Sequence, residues 1–159
     1  MIIRPYKNTD KSQLNALALE AFSQYRNRYN DWGSIQAVVG NMSSLANSSE
    51  IIVAEVSGIV VGGVAFVPPG GDAKGHFDIS WASIRMLVVS PNQRGKGIGK
   101  QLTLECIKRA RDKNVKFIGL HTSPMMEVAL SMYSRMGFTK IKDLEPIFGV
   151  EYSTYKLQV

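Results

Sequence analysis

Apolar residues along this 159-residue chain follow two different periods, and the changes of period mark out the elements. Leu14, Leu17, Ala18, Ala21, Phe22 and Tyr25 recur at helical spacing, predicting a helix that starts at Thr9 or Asp10, with Gln13 placed for a capping box. IIVAEV (51–56) and IVVGGVAFV (59–67), separated by Ser57-Gly58, read as a hairpin, and the Gly62-Gly63 pair predicts a bulge. ASIRMLVV (82–89) is a buried strand that ends at Ser90-Pro91. Ile98, Leu102, Cys106 and Ala110 form an i+4 series, so a helix runs to about Lys113 with Leu104 off the stripe. VKFIGLHT (115–122) is a further strand. Ser123-Pro124 then supplies an N-cap and a first-turn proline for a helix through Met136 that Gly137 ends. Residues 1–6 form a short strand, 31–48 a weaker helical region, and 138–145 and 151–158 two closing strands, while Pro68-Pro69-Gly70-Gly71 opens a polar loop. Strands fall on both sides of the helices, which predicts an α/β chain with one central sheet flanked by about four helices.

Composition narrows the function without naming it. At 45% hydrophobic and 20% charged, residues 1–159 suit one globular domain. No apolar run approaches the roughly 20 residues that cross a bilayer. Met1-Ile2-Ile3-Arg4-Pro5 leaves no room for a signal-peptide core, so no membrane partner and a cytoplasmic location are expected. The single cysteine, Cys106, rules out an intramolecular disulfide and a cysteine-based zinc cage, and with only two histidines no metal site is expected.

Net charge is +6, and its position matters more than its size. Residues 94–116 hold eight Lys/Arg against two Asp/Glu, while the rest of the chain holds eleven of each. A nucleic-acid partner is not expected, because this basic segment lacks interleaved aromatics on which bases stack. At its head stands NQRGKGIGK (92–100), where Gly95, Gly97 and Gly99 alternate with Lys96, Ile98 and Lys100 just behind Arg94. A buried strand, a glycine turn and a helix start gather unpaired N–H groups at the positive end of a helix dipole, which suits phosphate oxygens. Neither the P-loop frame nor G-x-G-x-x-G fits the spacing. Pyrophosphate binding survives outside both frames.

Leu87-Val88-Val89-Ser90-Pro91 followed by Arg94-Gly95-Lys96-Gly97-Ile98-Gly99 resembles the acyl-CoA signature of the GNAT superfamily of N-acyltransferases. Ala129 to Phe138 is similar to that family's A-x-x-x-Y-x-x-x-G-F helix, and the order of elements matches over essentially the whole chain. The resemblance implies a mixed, mostly antiparallel sheet, acetyl-CoA as acyl donor, and an amine-bearing small molecule or peptide as acceptor, attacked in a ternary complex; a homodimer is compatible with it. It implies that the backbone of Leu87, Val88 and Val89 meets the pantetheine arm and that amides from Gly95 through Gly97, Ile98 and Gly99 to Lys100 hold the pyrophosphate. Arg94, Lys96 and Lys100 are the local cations for the phosphates.

Tyr133 falls on the family's general-acid tyrosine, although its spacing with Met126, Ala129 and Met136 equally describes a packed core residue. A phenol of pKa about 10 can donate a proton or hydrogen bond to a departing thiolate whose conjugate acid lies near 8.5. The acceptor amine must also lose a proton, and here the sequence departs from the family. Glutamates are frequent at the positions held by Ser83 and His121, and an asparagine at that of Met126. His121, with an ordinary pKa of about 6.5, is a candidate base as well as an ordinary strand residue; Asp78, His76, Glu20 and Glu127 are weaker candidates. Phe22, Tyr25, Tyr29, Trp32, Phe148 and Tyr152, with Glu20, Glu145 and Glu151, are candidate acceptor-pocket residues, or ordinary packing and surface charge. With the glutamate and asparagine missing, an acyl-CoA sensor without transfer activity is the alternative.

Overall fold

The computed structural model describes residues 1–71 and 75–159, so part of the polar loop opened by Pro68–Gly71 lies outside the described residues. Seven strands, β1 (Ile2–Pro5), β2 (Glu50–Val56), β3 (Ile59–Val67), β4 (Ala82–Val89), β5 (Phe117–Thr122), β6 (Thr139–Asp143) and β7 (Ser153–Gln158), form one sheet in the order β1-β2-β3-β4-β5-β7-β6. All neighbours are antiparallel except β4 and β5, which are parallel. Among the described residues the α-helices are α1 (Lys11–Phe22), α2 (Trp32–Val39), α3 (Ile98–Asp112) and α4 (Glu127–Arg135). Leu14, Leu17 and Val39 of α1 and α2 pack on one face with Val53 and Val88. Leu102 and Cys106 of α3 and Tyr133 of α4 pack on the other with Phe66, Ile84 and Leu120. No helix among the described residues is long and apolar enough to cross a membrane.

The Gly62-Gly63 pair explains how both helix layers approach so closely. A Cβ on Gly62 would come within 2.9 Å of Ile98 Cγ2 in α3, and one on Gly63 within 2.7 Å of Leu14 Cδ1 in α1. Register shifts flank the pair, opposite Ala54/Glu55 on β2 and between Gly63 and Ala65 toward β4, in agreement with the predicted bulge.

Two irregularities in β4 open the sheet. Met86 adopts φ 56°, and the alternation slips there: Ile84 and Leu87, three residues apart, share the α3/α4 face, whereas Met86 and Val88 face α1. Pairing of β4 with β5 covers Ala82↔Ile118 and Ser83↔Gly119, although both strands continue beyond. Past Ser83 the two strands diverge.

Three local expectations are corrected. Residues Asn8–Asp10 form a 3-10 turn and α1 begins at Lys11, without the predicted box: Gln13 Oε1 instead accepts from the Val60 N–H at 3.0 Å. Asp10 stakes this start to the sheet, accepting from the Lys7 N–H at 2.8 Å and from Arg4 at 2.8 and 2.9 Å, while Arg4 also reaches Glu55 at 3.1 Å. The region 31–48 divides at Gly40 into α2 and a 3-10 segment, Met42–Asn47. Finally, α4 starts at Glu127 and not at Ser123, because Ser123 to Met126 close a turn (Met126 N–H to Ser123 O, 2.9 Å) before the helix begins.

Candidate active site

At the head of α3 the backbone itself forms the wall of a cavity. Gly95 and Gly97 adopt φ 78° and 79°, left-handed values that an L side chain disfavours, and a Cβ on either would meet nothing within 4 Å. Gly97 is the N-cap and supplies no side-chain acceptor, so the first N–H groups of α3 keep their capacity for a ligand. They border a cavity of ≈ 410 Å³ lined by nine of the ten predicted cofactor residues: Leu87, Val88, Val89, Arg94, Gly95, Gly97, Ile98, Gly99 and Lys100. Lys96 is off that wall, its ammonium donating to Gln93 Oε1 at 3.1 Å. Arg94 donates to Ala21 O at 3.3 Å, tying the turn to the end of α1.

The basic run divides along α3. Lys108 pairs with Asp112 at 2.9 Å, Arg109 with Glu50 at 2.9 Å and Glu105 at 3.2 Å, and Lys113 with Glu50 at 3.7 Å. These pairs stabilise the helix and its packing, which leaves the turn as the cationic part of the cavity. Arg135 of α4 joins Arg94 and Lys100 in the wall. Sequence reasoning missed Arg135, although it follows Ala129 and Met132 at helical spacing and those two line the same wall.

A second cavity of ≈ 290 Å³ passes through the sheet where β4 and β5 diverge. Ile84, Leu87, Leu120 and Tyr133 line it on the α3/α4 side, and Tyr29, Ile35, Val39 and Tyr152 on the other. It shares Phe22, Leu87, Met126 and Ala129 with the first cavity, so the two meet there. Both sequence-predicted chemical residues, Tyr133 and His121, are in its wall. Tyr133 is only 5% exposed, with its ring edge-on to Phe138 at 5.5 Å, and burial raises its phenol well above the ordinary value of 10. It is therefore neutral at physiological pH, a donor and not a base. Cys106, in the same core cluster, is buried and its thiol pushed up to about 12, mainly by desolvation.

His121 packs against Tyr152 at 5.6 Å and edge-on to His76 at 5.8 Å. The hydroxyls of Tyr29 and Tyr152 hydrogen-bond each other, and burial raises both phenols. Of the predicted acceptor aromatics, Phe22, Tyr29, Phe148 and Tyr152 line this cavity. Tyr25 lines the other one, and Trp32 stands behind Tyr29 at 6.4 Å. The predicted carboxylates are elsewhere: Glu20, Glu127, Glu145 and Glu151 are exposed and outside both walls, and Asp78 accepts from the Ser80 N–H and hydroxyl at 2.9 and 2.6 Å. Ser83 is buried outside both walls. Arg85, which the sequence did not single out, lines the second cavity.

The model of the acetyltransferase (GNAT) family matches residues 12–138. This chain belongs to that family. Within it, N-acetyltransferase 8B of Mus musculus is 38% identical over 88 residues, which make up 55% of this chain and 37% of that protein. The chain thus spans well under two thirds of that relative's length. Two solved GNAT-fold structures match nearly end to end. The ribosomal-protein-alanine N-acetyltransferase from Brucella melitensis has a TM-score of 0.72 at 21% identity, with 100% of both chains covered. An acetyltransferase from Salmonella typhimurium, solved with its cofactor acetyl-CoA, has a TM-score of 0.71 at 20% identity, covering 99% of this chain and 93% of that one. At these identities the likeness is one of fold, and it includes the open, mostly antiparallel sheet.

Proposed function

We propose that residues 1–159 form one catalytic domain that transfers an acetyl group from acetyl-CoA to a primary amine by direct attack in a ternary complex, in the cytoplasm. The observation that carries this reading is the meeting of two cavities at Phe22, Leu87, Met126 and Ala129, one walled by helix-start amides and the other holding Tyr133 and His121. The first suits a pyrophosphate, with Arg94, Lys100 and Arg135 in its wall. Beyond Ser83 the edge of β4 that turns from β5 offers backbone groups at Leu87 and Val89 to a pantetheine amide, while the Val88 side chain stays in the core.

Acetyl-CoA supplies the acyl group as a thioester. The amine nitrogen bonds to the acetyl carbon as the carbon–sulfur bond breaks. Tyr133, with its phenol raised by burial, stabilises the departing sulfur by hydrogen bonding more than by full proton transfer, since the thiol's pKa is near 8.5. The amine's proton passes to His121, directly or through water, and on to solvent, and the sulfur is reprotonated once released. Calorimetry tests the first half: acetyl-CoA should bind more tightly than ATP or NAD. Thiol release with a panel of amines tests the second. A protein that binds acetyl-CoA but gives no thiol release with any of the amines is the sensor and not the transferase.

A further inference from the structure

We infer that Phe148 determines acceptor specificity, selecting a primary amine whose nitrogen is attached to an aromatic or branched apolar body. The inference rests on the transferase reading above and concerns which amine enters the second cavity. The backbone at Phe148 is unusual. Phe148 and Gly149 are the two central residues of a tight hairpin turn, closed by Ile147 N–H to Val150 O at 2.9 Å and Val150 N–H to Ile147 O at 3.0 Å. Both have positive φ, 45° and 80°. A two-residue turn of this kind favours Asn, Asp or Gly at its first position, and a bulky phenylalanine there is strained. The turn holds because its backbone is tied down: the Asn30 N–H donates to Phe148 O at 2.9 Å, and the Asn30 side chain packs so closely on Gly149 that a Cβ there would come within 3.0 Å of its Nδ2. None of these ties uses the phenyl ring, so asparagine or glycine would make the same turn with less strain.

The ring serves the cavity instead. Phe148 lines it while 39% exposed, and Val38 of α2, in the same wall, is 61% exposed. A single exposed apolar side chain needs no explanation. Here two of them, from segments far apart in sequence, converge on one cavity, and one does so from a strained backbone. Phe22 and Met126 continue the apolar lining to the junction with the first cavity, where the acetyl group would be delivered. An acceptor that directs its nitrogen to that junction lays the rest of its body against Phe148 and Val38. Covering these side chains removes apolar surface from water, a gain open only to an acceptor with an apolar body. A small polar amine can bring its nitrogen to the same place and gains none of it.

The test compares 2-phenylethylamine with ethanolamine as acceptors, using acetyl-CoA and the intact chain. The expected kcat/KM is at least about tenfold higher for phenylethylamine, the order that burying part of a phenyl ring supplies. Phe148→Gly and Phe148→Asn, both suited to the turn, should lower that preference about tenfold, while the melting temperature stays within about 3 °C of wild type because relieved strain offsets lost contacts. Phe148→Tyr, which keeps the ring, should retain the preference within about twofold. Acetyl-CoA affinity should stay within about twofold in all three, since Phe148 is outside the wall of the first cavity. Independently of turnover, N-acetyl-2-phenylethylamine should bind the CoA-loaded wild type in calorimetry and bind Phe148→Gly about tenfold more weakly. A lowered melting temperature with both amines affected alike would make the ring purely structural and overturns the inference. So does equal or better use of ethanolamine, or a preference unchanged in Phe148→Gly and Phe148→Asn. Absence of both phenylethylamine turnover and N-acetylphenylethylamine binding overturns it too. Failure of acetyl-CoA itself to bind defeats the transferase reading, and the inference with it.

Discussion

The two cavities that meet at Leu87 are made of different material. The one at the head of α3 is framed by backbone: left-handed glycines, uncapped amides and the free edge of β4. The one through the sheet is framed by side chains drawn from α1, α2, α4, β4, β5 and the segments around Tyr29, Phe148 and Tyr152. Backbone can hold a part common to many ligands while side chains nearby vary, and side chains can be exchanged one at a time to change the ligand. On the proposed function, the fold commits to the acyl donor and leaves the acceptor to the replaceable side chains of the second cavity.

The strongest challenge to that contrast is Tyr133→Phe. It deletes one hydroxyl from the side-chain cavity, so turnover should fall about a hundredfold, within the usual range for a proton donor, with acetyl-CoA affinity and melting temperature nearly unchanged. Full activity in this variant would make Tyr133 a packing residue, in which case Tyr133→Ala should cost about 3–5 kcal/mol of stability and nothing more specific.

Asp10→Asn supplies a control that acts on the scaffold of both cavities. Asp10 holds the start of α1 through Arg4 with a side chain 6% exposed, and removing its charge from this pair should cost about 3 kcal/mol. Arg4 lowers the Asp10 carboxyl below its ordinary 3.8, so its stabilisation is complete above that value and fades as pH falls through the lower native one. Melting temperatures between pH 6 and 2 should therefore converge for wild type and Asp10→Asn at the acid end. Parallel curves would show that the carboxylate does not carry the effect.

Gly97→Ala probes the backbone cavity. Holding alanine at φ 79° should cost about 1–2 kcal/mol of stability, and a new methyl at the anion's approach should weaken acetyl-CoA binding about tenfold. The acceptor KM should stay constant. The smallest effect belongs to Lys100→Ala: a two- to fivefold loss of acetyl-CoA affinity at low salt that shrinks toward none at about 0.5 M, since exposed charges are screened. A loss that persists at high salt would implicate folding of the α3 start.

How much of this was legible in the sequence follows the same division. The residue pattern gave the seven strands and three of the four helices to within a few residues, while the helical region expected over 31–48 breaks at Gly40; nine of the ten predicted cofactor residues line one cavity, because a strand, turn and helix in succession fix their own geometry. The cavity through the sheet was less legible. Its walls come from residues as far apart as Phe22 and Tyr152, and no local pattern distinguishes Tyr29, which enters the wall, from Trp32, which stands behind it. Arg85 was hidden in a run that reads as plain buried strand, since the slip at Met86 has no glycine to announce it. Glu20, Glu145 and Glu151 were drawn in by proximity along the chain to aromatic residues, but each is exposed and points to no cavity wall.

Cys106 is the only thiol in the chain, and it lies fully buried in α3 with its pKa pushed up to about 12. A thiol-specific reagent at neutral pH therefore meets neither an accessible sulfur nor a useful fraction of thiolate until α3 parts from the sheet. The labelling rate of the unmodified protein becomes a clock for that opening, and slower labelling with acetyl-CoA present would be the outcome expected if the ligand seats on the first turn of α3 as proposed.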